Sequence, residues 1–181
     1  MRRIAVLSGL VLVGGLLGPS TAFAGEEHGH GTDNAQWIAV EDQFALVLPD
    51  GETFTGEGDP GPLDPNDVPP VGTQLFVSEV LYETEDGETR GDEVGRTHIQ
   101  CTGQVVEFNF LCDGAFVFDN GSGLLASVAL DFSMEEGMET FDIAVTGGTG
   151  DWFGATGAIS VTDISTAAET ASLYEADVVL P

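Results

Sequence analysis

Residues 115–132 read AFVFDNGSGLLASVALDF. Two apolar runs of period two flank Asn120-Gly121-Ser122-Gly123, and that order of residue types specifies a β-hairpin. Asn and Gly tolerate the positive φ of a tight turn, while alternation on either side turns one face of each strand toward a core. The pattern recurs in both directions. Downstream lie strands over Thr140–Val145, Ala158–Ser165 and Ser172–Leu180. Upstream lie Val94–Thr102 and Val105–Phe118, the second interrupted by Asp113-Gly114. Gln74–Glu83 (QLFVSEVLYE) is a further strand, followed by a Glu- and Gly-rich turn region, Thr84–Asp92. Trp37–Val40 and Phe44–Leu48 form a first apolar stretch, ended by Pro49-Asp50-Gly51. Gly56–Pro70 (GEGDPGPLDPNDVPP) is too dense in Pro, Gly and Asp for regular structure and reads as a long surface loop.

No stretch sustains a helical period. Seven or eight strands joined by short turns imply antiparallel sequence neighbours. Many are long and few carry Lys or Pro to guard an open edge, so closure of the sheet is favoured over a sandwich. The expected fold is all-β, an antiparallel eight-stranded closed β-barrel. Eight strands leave an interior that is filled by side chains or holds one small ligand.

The first residues read as an export signal. Arg2 and Arg3 precede the apolar run Ile4–Leu17, and Ala22-Phe23-Ala24 supplies the small–x–small pattern of a cleavage site. The run is short of the ~20 residues a bilayer needs, so residues 1–24 are expected to be removed after Ala24 and the protein secreted, without a membrane span. Residues 25–36 then form a flexible acidic and His-rich tail, and 37–181 one barrel domain. In the tail, Glu26, Glu27, His28 and His30 make an incomplete metal shell and are read as solvated.

Without the signal, two basic residues (Arg90 and Arg96) stand against 31 acidic ones, a net charge of −29, and the chain has no lysine. Such a surface repels nucleic acid and anionic lipid, and neither is an expected partner. Two readings of the acidity stand: a salt-adapted producer, or ordinary acidic secretion. The hydrophobic content of 42% is that of a chain with a core. Cys101 and Cys112 are the only cysteines, and an even pair in an oxidising compartment reads as a disulfide. They lack the CxxC spacing of a redox site. His98 is the only histidine outside the tail, which leaves no Ser-His-Asp set and no HExxH zinc site to assemble.

Residues 140–161, TFDIAVTGGTGDWFGATGAISV, carry Gly147-Gly148-Thr149-Gly150 between a strand, two aromatics and a second strand. The run leads into a β pattern and no Lys follows it, so it is not a phosphate-binding loop. It resembles the allene oxide cyclase and dirigent barrels. Further matches follow in order: Leu75-Phe76-Val77-Ser78-Glu79-Val80-Leu81-Tyr82, Glu93-Val94-Gly95-Arg96, the Cys101 and Cys112 pair, and Leu130-Asp131-Phe132-Ser133. The likeness spans roughly residues 72–180. One departure is Ala155-Thr156-Gly157, where relatives usually read Ala-Arg-Gly, which puts a plant-type substrate in doubt.

The resemblance implies an eight-stranded barrel that receives an apolar small molecule and controls its cyclisation or stereoselective coupling. Restricting reactive conformers in a preformed cavity is the entropy-trap mechanism, and it needs no metal or organic cofactor. It also implies three candidate catalytic residues. Glu79 matches a pocket acid, Arg96 the arginine of Val-Gly-Arg, and Asp151 an acid after GGTG. The alternatives are exposed acids for Glu79 and Asp151, and a barrel-wall salt bridge for Arg96. If the barrel is hollow, side chains alternating along Leu75–Tyr82 and Leu124–Phe132 line it, with Glu79, Arg96 and Asp151 as its few polar groups and Trp152 and Phe153 at its mouth. A lipocalin-like carrier and a filled structural or envelope-associated module are the competing functions. The sequence carries no signal for oligomeric state.

Self-repulsion among 29 excess negative charges weakens as salt screens it. The melting temperature is expected to rise from low salt to molar NaCl, beyond what an uncharged osmolyte produces. A flat curve would remove salt adaptation as the meaning of the acidity.

Overall fold

A computed structural model describes residues 32–55, 69–106, 108–131 and 140–181. Nine strands follow in chain order: β1 (Thr32–Val47), β2 (Thr53–Thr55), β3 (Gln74–Glu83), β4 (Glu93–Gly103), β5 (Asn109–Phe118), β6 (Gly123–Asp131), β7 (Thr140–Thr149), β8 (Thr156–Asp163) and β9 (Ala171–Val179). From β3 to β9 each strand pairs antiparallel with the next. β1 closes the sheet by pairing β9 from Thr32↔Val179 to Val40↔Ala171 and β3 from Trp37↔Glu83 to Val47↔Gln74. β1 and β3–β9 thus form the closed eight-stranded antiparallel barrel, and β2 is a short addition on the second half of β1.

The expected hairpin at Asn120–Gly123 is present. Gly121 takes φ +85°, its N–H donates to the Phe118 carbonyl, and the Asn120 side chain accepts from the Ser122 N–H. β3 has the expected bounds. Trp37–Val40 and Phe44–Leu48, read as one apolar stretch, do lie in one strand, which passes through a bulge between Glu41 and Gln43. Three expectations need correction. Thr32–Gln36 belongs to β1 and not to a tail, because closure depends on main-chain pairing with β9, which is indifferent to the polarity of the side chains. Asp113-Gly114 is no break, since ladders on both sides hold it, Gly114 opposing Ile99 and Ala126. Val105 and Val106 lie in an exposed turn, and β5 starts only at Asn109. The export signal with its Ala24 site, residues 25–31 with His28 and His30, and residues 56–68 of the long loop lie outside the described residues. No helix among the described residues is long and apolar enough to cross a membrane.

Alternation sends one side chain in two into the lumen, where two apolar clusters form. At one end Trp37, Phe116, Phe118 and Tyr174 are buried, and Trp152 caps them at ring-centroid distances of 6.1 Å from Trp37 and 5.9 Å from Phe118. Toward the other end Phe110 and Leu130 pack around the Cys101–Cys112 disulfide, which joins directly opposed residues of β4 and β5. The GGTG step explains itself sterically. A Cβ on Gly148 would sit 2.4 Å from the Trp152 carbonyl oxygen, and one on Gly150, at φ +63°, would sit 2.6 Å from Ser122 Oγ. Ser122 is buried and accepts the Asp151 N–H, locking the 150–152 turn to the β5–β6 hairpin.

Replacing Cys101 and Cys112 together by Ala is expected to lower unfolding free energy by about 2–3 kcal/mol, the chain-entropy value for so short a loop. Urea denaturation reads it, and an unchanged midpoint would contradict a stabilising bridge.

Candidate functional site

Glu79 lies in the middle of β3, in the phase that also turns Leu81 inward, and is only 5% exposed. Thr97, opposite it on β4, donates its hydroxyl to Glu79 Oε2 at 2.6 Å. Tyr174, on β9, donates its hydroxyl to the same oxygen at 2.8 Å. Two strands distant in sequence therefore converge on one carboxyl. Burial pushes the Glu79 pKa above its ordinary value, the hydroxyls of Thr97 and Tyr174 pull it back in part, and nearby Glu41 and Asp42 push it up further. Tyr174 is held well above the usual tyrosine range, by burial first and the adjacent carboxyl second, so it stays protonated and donating. A carboxyl so placed can hold a proton, release it, or present negative charge in a low-dielectric space.

Beside this cluster is an interior cavity of about 110 Å³ with mainly apolar walls. Thr97 and Tyr174 border it, with Phe116, Ile99 and the disulfide. Val128 and Leu130 of β6 and Phe141 and Ile143 of β7 also line it. All four lie beyond the stretch over which β6 pairs with β7, Gly123↔Thr149 to Ser127↔Ala144. The cavity thus occupies the space where these two strands diverge. A second, larger concavity of about 1400 Å³ is open to solvent and bordered by Phe76, Ser78, His98, Gln100 and Asp113. Those residues alternate out of phase with Glu79, Thr97 and Cys112, so they belong to the outer wall. The lumen is the better candidate because two residues on its apolar wall, Thr97 and Tyr174, hold the buried Glu79 carboxyl, whereas the larger concavity lies open on the outer wall.

Of the three residues singled out in the sequence, the structure brings only Glu79 to the lumen. Arg96 precedes the inward Thr97 and therefore points outward, where it is half-exposed and ion-paired with Asp42 at the β1 bulge. Asp151 is exposed and accepts a hydrogen bond from the Asn120 amide at 2.9 Å. Trp152 packs on the core as a plug, while Phe153 is 74% exposed. Thr97 and Tyr174 escaped the sequence reading. A usable signal existed for both: Thr97 shares the phase of Cys101, and Tyr174 that of Ala176 and Val178. Among the described residues, no three His, Cys, Asp or Glu side chains gather closely enough to hold a metal ion.

No protein-family profile matches the chain, and no curated protein matches it in sequence. Solved structures do. A pterocarpan synthase dirigent protein superposes with TM-score 0.56 at 17% identity, covering 84% of this chain and 86% of its own. The fold is that of the dirigent barrels. An exo-specific intermolecular Diels–Alderase shares this barrel at TM-score 0.57 and 13% identity, over 83% of this chain and 98% of its own. Pyocyanin demethylase does so at TM-score 0.51 and 22% identity, over 80% and 100%. At these identities the dirigent likeness is one of architecture.

The raised Glu79 pKa has a consequence for stability. Between the ordinary value of 4.5 and the higher folded value, the native state binds the Glu79 proton more tightly than the unfolded chain does. Its contribution is therefore full below 4.5 and is lost as pH rises through the folded pKa. Melting curves at fixed high salt should show wild type losing stability relative to Glu79→Gln across that window. Parallel profiles for the two proteins would contradict a buried carboxyl.

Proposed function

We propose that this dirigent-type barrel binds an apolar small molecule in its lumen and controls the outcome of its cyclisation or coupling. The observation that carries the reading is the buried Glu79 carboxyl, held by Thr97 and Tyr174 at the edge of an apolar cavity. The wall restricts the conformers of a reactive guest. Glu79 then stabilises developing positive charge or moves a proton. Arg96 and Asp151 act as structural ties in this scheme, one at the β1 bulge and the other at the 150–152 turn. The dirigent protein and the Diels–Alderase among the structural neighbours support a role in directing bond formation. We further propose that the protein works outside the cytoplasm after loss of its first 24 residues, a location with which the Cys101–Cys112 disulfide is compatible.

The test pairs binding with product analysis. The mature protein is mixed with diene–dienophile pairs and with oxidant-generated phenoxy radicals, and the products are resolved on a chiral column. Wild type is expected to shift the product ratio away from that of the free reaction, and Glu79→Gln to return it toward the free value while keeping the fold. Binding at the Ile143 methyl with an unchanged product ratio across the panel would favour the carrier reading instead.

A further inference from the structure

We infer that the lumen cavity takes an uncharged apolar ligand about one ring in size and turns away anions, carboxylates above all. This rests on the reading of the lumen as the functional site and adds the class of molecule that fits it.

Size comes first. The cavity measures about 110 Å³. An apolar protein cavity of about 150 Å³ accommodates benzene, so a single ring is near the upper limit here unless the walls move. Growth toward the Trp152 end is blocked. Trp37, Phe116, Phe118 and Tyr174 fill that half, with ring centroids 5.2–5.9 Å apart.

Charge gives the second constraint. Arg90 and Arg96 are the only cations among the described residues, and both are engaged elsewhere. Arg90 pairs with Glu169 on the turn between β8 and β9 and lies over the Tyr82 ring at 5.7 Å. Arg96 pairs with Asp42 on the outer wall. No cation lines the cavity: its one charged lining residue is Asp113, whose side chain faces the outer wall, and its lining hydroxyls, Thr97 and Tyr174, hold the Glu79 carboxyl. A carboxylate entering the lumen meets like charge across a low-dielectric gap with no counterion.

The third constraint is hydrogen bonding. Thr97 and Tyr174 are the hydroxyl-bearing side chains that turn inward at the cavity edge, and both donate to Glu79 Oε2. A ligand anion would have to take those protons from Glu79, leaving a buried carboxyl without its donors. An apolar ring asks for neither proton and leaves the cluster intact.

The experiment uses the mature protein carrying ¹³C-labelled Ile methyls, so that Ile99 and Ile143 report on the cavity wall. Toluene, benzoate, naphthalene and dodecanoate are titrated at neutral pH. Toluene is expected to shift both methyls saturably and to show nuclear Overhauser contacts to Ile143. Benzoate should bind at least about tenfold more weakly, the penalty of one uncompensated charge. Naphthalene should bind more weakly than toluene. Val128→Phe, which fills the cavity, should abolish the toluene response, and the Overhauser contacts in wild type locate the ligand even where that variant fails to fold. Benzoate binding as tightly as toluene overturns the charge selection. Naphthalene or dodecanoate entering the lumen in preference to toluene overturns the size or charge class and leaves the ligand-binding barrel standing. If none of the four probes moves either methyl, both the inference and the proposed lumen function fall.

Discussion

The architecture depends on β1 serving two neighbours. Its first nine residues complete the ladder with β9, and its second half runs along β3. Without that shared strand the sheet would be an open ribbon with two long unpaired edges. The bulge between Glu41 and Gln43 lies where the strand leaves β9, and the Arg96–Asp42 ion pair ties it to β4. The Arg90–Glu169 pair crosses a neighbouring junction, from the β3–β4 loop to the β8–β9 turn. Both arginines of the described chain thus serve the closure rather than the lumen.

That division leaves an acid inside a barrel already crowded with acids outside. A buried carboxyl is costly unless hydrogen-bonded, and each charge-assisted bond returns about 1.5–3 kcal/mol. Thr97 and Tyr174 offset part of the desolvation, and the pKa still moves upward. An apolar residue at position 79 would avoid the cost altogether. Retaining an acid there agrees with a use for its proton or its charge, which is the basis of the functional reading.

Much of the barrel was legible because its signals are local. The period-two runs, the Asn120–Gly123 turn and the odd–even phase of each strand require no knowledge of distant partners. The errors arose where pairing overrides composition: polar Thr32–Gln36 and the Asp113-Gly114 pair look like breaks until their ladders are known. The site was legible only at Glu79. Its contact with Tyr174 joins residues 95 positions apart, which no local pattern reveals. The placement of Arg96 was within reach, since Cys101 faces the core and a residue five positions away on the same strand faces the opposite side. Similarity of motif pointed inward, and strand geometry points outward.

The account's central claim is that Glu79 is a lumen carboxyl rather than one more surface acid. The most direct measurement is the pH titration of its side-chain ¹³C carboxyl resonance, assigned by comparison with Glu79→Gln. The account predicts a midpoint above 4.5 that moves when toluene occupies the cavity. A midpoint at or below 4.5, indifferent to the ligand, would contradict it.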